Sequence, residues 1–260
     1  MKPLRELRDA GRLRGLLFDI DETLTTEGRL TAEAYAAMER LQSAGRLVVP
    51  ITGRPAGWCD QIARMWPVDA VVGENGAFYF RRADGRLLKR FQDDERTRAD
   101  NRARLGAIGR RILAAVPGCA LASDQAYREA DLAIDFCEDV PALPIETAER
   151  IAGLMRAEGL SAKISSIHVN GWFGGYDKLA MTRRLFAEQF AIDLDAASAQ
   201  FAFAGDSPND APMFAFFAHS VGVANVARFA GRLAAEPKYV TPGAAGAGFA
   251  ELAAHLLEGA

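Results

Sequence analysis

Short apolar runs alternate along this chain with stretches whose apolar residues recur at helical spacing, which predicts a parallel sheet covered by helices on both faces. Leu16-Leu17-Phe18 is apolar at every position, as a strand buried on both sides would be. A helix is predicted from Thr31 to a stop at Gly45, with Tyr35, Met38 and Leu41 on its apolar face. Leu47 to Ile51 reads as the next strand, where Pro50, lacking a ladder donor, suits a strand end. Pro55 then opens a helix continued by Trp58, Ile62 and Met65, and Ala70-Val71-Val72 is a third strand. Phe78-Tyr79-Phe80 and Leu87-Leu88, flanking Ala83-Asp84-Gly85, make a hairpin.

The middle of the chain has another texture. Residues 81–111 carry eleven basic and five acidic residues, whereas 119–150 carry eight acidic and two basic. A helix at 102–115, a strand at 132–136, a helix at 145–158 and an extended run at 162–173 read as a small β-α-β domain. The helix at 177–190 and strands near 201–203, 221–223 and 239–240 resume the first pattern. The fold expected is α/β: a Rossmann-like, doubly wound parallel core (1–83 and 174–260) with an α+β insertion (84–173). Residues 1–15 precede the first strand and receive no role.

Composition narrows the classes of function. Half of the 260 residues are apolar, a quarter are charged, and 31 Lys and Arg against 34 Asp and Glu give a net charge of −3. There is no global basic field for a nucleic acid. Cys59, Cys119 and Cys137 are too few and too scattered for a disulfide scaffold or a zinc site, which points to a reducing compartment. The charged N-terminus is not a signal peptide, and no apolar run approaches the roughly 18 residues of a membrane span. The expectation is a cytoplasmic protein that binds neither membrane nor nucleic acid.

Chemistry-bearing residues gather where strands end. Asp19-Ile20-Asp21-Glu22-Thr23 follows the first strand, and open α/β sheets bind ligands at such ends. In an extended chain Asp19 and Asp21 point the same way, and their repulsion calls for a cation or a shared proton. Carboxylate oxygens suit a hard ion such as magnesium. Asp and Thr are equally ordinary in a capped strand-to-helix turn. Gly205-Asp206-Ser207-Pro208-Asn209-Asp210 follows another buried strand, and Asp206 and Asp210 there add two more carboxylates, unless they serve only as helix caps. Thr52-Gly53-Arg54-Pro55 joins a hydroxyl to a helix start fit for phosphate oxygens, or is simply a turn. Lys178 opens a helix, where a cation opposes the dipole unless something negative is near.

In this order, Asp19-x-Asp21-x-Thr23, Thr52, Lys178 and Gly205-Asp206-x-x-Asn209-Asp210 resemble the haloacid dehalogenase-like superfamily. Glu74-Asn75-Gly76-Ala77 is similar to its subfamily IIB, in which a cap domain is inserted between the second and third motifs. Gly175-Tyr176-Asp177-Lys178 and the segment from Gly205 to Phe214 look most like the Cof-type, mannosyl-3-phosphoglycerate phosphatase-like branch. The resemblance implies a magnesium-dependent phosphatase for a small phosphorylated metabolite, a sugar phosphate or a phosphoglycoside such as mannosyl-3-phosphoglycerate. It makes Asp19 the nucleophile and Asp21 the acid and base. It gives the metal to Asp19, the Asp21 carbonyl and Asp206, with Asp210 in support, and the phosphoryl group to Thr52, Gly53, Lys178 and Asn209. Glu22 departs from the glycine common in relatives, Leu179 replaces a small residue, and Pro50 interrupts a strand.

Arg54, Arg128, His168 and Asn170 are candidates for reading the leaving group, with Trp172 as a packing residue or a stacking platform. His168 is equally a structural histidine, and the basic 81–111 segment either steers anions or is a solvated helix face. A phosphomannomutase-type mutase and a phospho-aspartate signalling or binding protein remain alternative readings. The former would return the phosphoryl group to a sugar, the latter would keep it. A dinucleotide-binding enzyme is disfavoured, since no Gly-x-Gly-x-x-Gly follows the first strand.

Overall fold

The computed structural model describes residues 1–258, and in it the predicted alternation becomes a sheet of six parallel strands with a second domain inserted. In chain order the first elements are β1 (Lys2–Pro3), β2 (Gly15–Phe18), α1 (Ala32–Ser43), β3 (Leu47–Pro50), α2 (Ala56–Met65) and β4 (Val71–Gly73). Next come β5 (Phe78–Ala83), β6 (Arg86–Phe91), α3 (Glu95–Ala115), β7 (Ala120–Leu121), β8 (Asp131–Asp135), α4 (Ile145–Ala157), β9 (Ser161–Ile164) and β10 (His168–Trp172). The chain finishes with α5 (Lys178–Phe190), α6 (Leu194–Ala197), β11 (Phe201–Gly205), α7 (Ala211–Phe216), β12 (His219–Gly222), β13 (Tyr239–Val240) and α8 (Ala245–Leu257).

The core sheet runs β1-β13-β12-β11-β2-β3. Register does the positioning. Ala204 of β11 and Pro50 of β3 both stand opposite Phe18 of β2, so the loops after these three strands leave one sheet edge side by side. That edge is the switch point where the strand order turns back, the usual ligand position in such sheets. Pro50 is tolerated because β3 ends there, on the edge of this sheet. A parallel bridge from Ile51 to Val72 then leads to the antiparallel sheet β4-β5-β6. Phe78, Phe80 and Phe91 pack their rings together in the β5–β6 hairpin, so residues 86–91 pair with this core-side sheet and residue 84 lies in its turn.

Two helices present a different face from the one their large apolar residues suggest. In α1, started by the Thr31 hydroxyl accepting from Ala34 N, the buried residues are Ala34, Ala37, Met38 and Leu41, and Tyr35 lies outside them. In α2 the buried set is Ala56, Cys59, Ile62 and Ala63, while Trp58 and Met65 are exposed. Alanine faces let both helices approach the sheet closely. α3 starts seven residues before the predicted point, because Asp94 caps it through Thr97 N and its polar first turns carry no apolar period.

In the inserted sheet, β7-β8-β10-β9, neighbouring strands are antiparallel; β8-α4-β9 is the expected β-α-β unit, with β10 inserted between its two parallel strands. Ser165, whose hydroxyl accepts from His168 N, folds the 162–173 run back as a hairpin. Leu132, Ile134 and Val169 pack one face against α3 and α4. Alternation then leaves Asp131, Asp135, His168 and Asn170 on the other face, all buried. The first fifteen residues, given no role, complete the core. β1 adds a parallel strand beside β13, and Leu4, Leu7, Ala10 and Leu13 are buried in the cluster that includes α8. Among the described residues no helix is long and apolar enough to cross a membrane, and Cys59, Cys119 and Cys137 are all free.

Candidate active site

The site is assembled from chain segments leaving the sheet edge. Asp19 follows β2, Thr52 lies two residues past β3, Asp206 follows β11 and Lys178 opens α5. Gly205 makes room for the fourth acid. A Cβ there would stand 2.5 Å from Asp210 Oδ2, the oxygen that accepts from the amides of Asp206 at 3.1 Å and Ser207 at 3.3 Å. Asp210 Oδ1 accepts from Lys178 Nζ at 2.7 Å, and the same nitrogen donates to Asp19 Oδ1 at 2.9 Å. These carboxylates are the negative charge that a lysine at a helix start requires, while Asp177 caps the helix itself through Ala180 N.

One lysine does not balance three buried carboxylates. Burial pushes the Asp19 carboxyl up to about 7, against the pull of Lys178 and with a further push from Asp210 and Asp21. Burial, then Asp19 and Asp210, hold Asp206 well above the usual carboxylate range. Lys178 is raised despite its burial, by Asp19 and Asp210. Oxygens of Asp19, Asp206 and Asp210 lie within 4.8 Å of one another. Such a charge excess among hard oxygen donors fits a divalent cation. Asp210 spends its oxygens on the Lys178 ammonium and two backbone amides, whereas each Asp206 oxygen accepts a single neutral donor. That leaves Asp19 and Asp206 the better ligands and Asp210 a support. Asp206 is steadied by Asn225 Nδ2 at 3.1 Å and Thr23 Oγ1 at 3.4 Å.

The Asp21 side chain turns instead to Arg54, whose Nε and Nη2 donate to its Oδ1 at 2.9 and 2.7 Å. The Asp21 carbonyl accepts from Ser166 Oγ of the inserted domain at 3.4 Å. Arg54 also reaches Asp124 and Glu138, and its guanidinium lies 4.4 Å from the centre of the Trp58 ring. Burial disfavours the Glu138 charge, yet the proximity of His168 and the hydrogen bonds from Arg54 outweigh it and hold this carboxyl down at about 2. His168 Nε2 is 2.8 Å from Glu138. Arg128 pairs with Asp124 and with Asp131 and donates to Gly53 O at 2.9 Å, and Asn170 donates to Asp131 at 2.8 Å. The four leaving-group candidates thus meet in one buried network across the domain boundary.

Thr52 and Asn209 complete the set. The Thr52 hydroxyl oxygen accepts from Arg54 N at 3.0 Å, which leaves its proton to donate. Asn209 Oδ1 accepts from Ser207 Oγ at 2.7 Å and its Nδ2 donates to Asn75 Oδ1 at 3.2 Å. A cavity of about 370 Å³ opens beside Asp21 and Arg54, lined also by Glu22, Glu138, Ser166 and Arg228. Trp172 packs on Tyr176 and donates to its carbonyl, so it is a packing residue. The basic helix α3 pairs Arg98 and Arg102 with Glu129, and Arg111 with Glu158.

Sequence reasoning missed Glu74, Asp124, Asp131 and Glu138. Glu74 is fully buried and accepts from the amides of Ala56 (2.9 Å), Glu129 (2.9 Å), Ala130 (2.6 Å) and Asp131 (3.2 Å), tying core to insertion. Burial, with Asp131 nearby, pushes its carboxyl up to about 8. The acidic excess of 119–150 was the available signal for the other three.

A parallel sheet with clustered acids at its switch point, beneath an inserted antiparallel domain, is an α/β core with a cap. The sequence pattern of the haloacid dehalogenase-like hydrolases matches residues 16–96 of the chain. No curated protein matches the chain. Among solved structures it is similar to the sucrose-phosphatase of Synechocystis sp. PCC6803, solved with sucrose and phosphate. That match has 16% identity and a TM-score of 0.63, over 94% of this chain and 98% of that one. The C-terminal domain of C. albicans trehalose-6-phosphate phosphatase matches at 13% identity and a TM-score of 0.71, over 99% of both chains. A subclass IIB sugar phosphatase of the superfamily matches at 15% identity and a TM-score of 0.57, over 88% of this chain and 94% of that one. At these identities the shared property is the fold.

Proposed function

We propose that the chain is a magnesium-dependent phosphatase releasing inorganic phosphate from a small phosphorylated metabolite, most simply a sugar phosphate. The observation that carries this reading is Lys178 bridging Asp19 and Asp210 beside Asp206, with Asp21, two residues on from Asp19, held by Arg54. The relatives named as sucrose and trehalose-6-phosphate phosphatases support the sugar phosphate.

Asp19 attacks phosphorus, the bond to the ester oxygen breaks, and Asp21 gives that oxygen a proton. Water then attacks the aspartyl-phosphate, Asp21 takes its proton, and the Asp19 carboxylate leaves as phosphate is released. Thr52, Gly53 N, Lys178 and Asn209 hold the phosphoryl oxygens. Magnesium, held by Asp19 and Asp206 with Asp210 behind them, would offset the charge that accumulates when an anion meets an anion. The leaving group would occupy the cavity beside Asp21, where Arg54 and Glu138 face it and the network of Arg128, His168 and Asn170 holds those two side chains in place.

Phosphate release from a panel of phosphorylated metabolites tests the reading. We expect turnover with magnesium, none after chelation, and a loss of about 10⁴-fold or more in Asp19→Asn with its melting temperature retained. Turnover that survives chelation, or that persists in Asp19→Asn, refutes the mechanism. Sugar-phosphate isomerisation in place of release would assign the core to a mutase.

A further inference from the structure

Glu74, Asn75 and Gly76 follow one another in the left-handed region, at φ 43°, 53° and 107°. Only glycine accepts such angles freely, so two strained side chains in series are held there by their surroundings. Glu74 has its backbone donors from the inserted domain. Asn75 has only half of its amide satisfied. It is 2% exposed, its Oδ1 accepts from Asn209, and its Nδ2 is buried without a hydrogen-bond partner among the described residues. The orientation of both amides follows from the network. Ser207 Oγ accepts from Asp210 N in a capping box and so donates to Asn209 Oδ1, which makes Asn209 offer Nδ2 and Asn75 present Oδ1.

The orphaned nitrogen looks toward Gly53. A Cβ on Gly53 would come within 3.2 Å of Asn75 Nδ2 and 3.7 Å of Asn170 Oδ1. Gly53 has no left-handed φ, so its backbone does not require glycine; the space beside it does. That space adjoins Thr52, whose hydroxyl proton is uncommitted, and the Asn209 amide. A buried donor left unpaired is costly, and one kept beside two other donors is suited to an oxyanion.

We propose that Asn75 is a phosphate-holding residue: its Nδ2 donates to a non-bridging oxygen of the phosphoryl group that Asp19 attacks, while its Oδ1 aims Asn209 at the same group. The proposal rests on the phosphatase reading and adds to it a donor from the turn that also anchors the cap. It further gives a reason for an asparagine at a position whose backbone a glycine would fit without strain.

The test uses inorganic phosphate and p-nitrophenyl phosphate, with magnesium, on the full chain, Asn75→Gly, Asn209→Ala and the double variant. Glycine adopts the native φ without strain, and the melting temperature of each free protein checks its fold. Asn75→Gly is expected to raise the inhibition constant of phosphate about tenfold. It should also shrink the rise in melting temperature that phosphate produces, and do both again in the Asn209→Ala background. An unchanged phosphate constant overturns the proposal, as does an effect that vanishes once Asn209 is gone, which would leave Asn75 a prop for that residue. Should the glycine variant melt early, Asn75→Asp keeps the shape and the acceptor, and an unweakened phosphate constant there is equally fatal. A wild type that cleaves no ester yet is stabilised by phosphate would sink the phosphatase reading alone, and the thermal shift would still report on Asn75.

Discussion

At the scale of single residues, Gly205 illustrates how the site depends on atoms that are missing. Its hydrogen lets Asp210 Oδ2 sit against the backbone and collect two amides, which in turn points Oδ1 at Lys178. Gly205→Ala places a methyl group in that contact. We expect a loss of about 1–3 kcal/mol from overpacking, read by denaturant unfolding. A fall in kcat well beyond what that stability change explains is expected too, because Lys178 loses one of its two anchors. The motif residues were legible in the sequence because short segments at strand ends leave few options for Asp19, Thr52, Lys178 and Asp206. Arg54 and Arg128 were legible only as charged candidates. The cap carboxylates that hold Arg54 lie 70 and 84 residues away, beyond any local spacing. Asp124 and Asp131, the partners of Arg128, are its near neighbours in sequence and pair with it only through the fold of their loop.

At the scale of elements, the buried strands were plain because every position is apolar, whereas the helix faces were misread wherever alanine does the packing. Ala34, Ala37, Ala56 and Ala63 carry little hydrophobic weight in a sequence pattern yet permit the closest approach. The antiparallel hairpin β9–β10 hid for another reason: its turn, Ser165-Ser166-Ile167, holds neither glycine nor proline. The N-terminal arm was opaque because a two-residue strand has no period. Leu7, 2% exposed, packs this arm into the cluster shared with α8. Leu7→Ala should cost about 2–4 kcal/mol in unfolding experiments while leaving KM unchanged, since the arm lies at the sheet edge farthest from β3. A shifted KM would show that the arm communicates with the site.

At the scale of the whole molecule, the two domains are joined by buried polar contacts beside an apolar seam in which Ala130 and Trp172 meet Ile20, Ala56 and Cys59. Glu74 is central to them. Its carboxyl stands at about 8 where an ordinary glutamate stands near 4.5, chiefly through burial, so the folded protein favours the neutral form. The stability this group supports is complete below the ordinary value and is lost as pH rises through 8. The melting temperature of the cation-free protein should therefore fall between about pH 4.5 and 8, and Glu74→Gln should flatten part of that decline. An equal decline in both proteins would remove Glu74 from the account. The stacking of Arg54 on Trp58 has a consequence of its own. Because the same guanidinium is gripped by Asp124 and Glu138 of the cap, a hinge motion that separates the domains would alter the charge beside that half-exposed indole. The protein therefore carries a built-in fluorophore for following its own opening without a label.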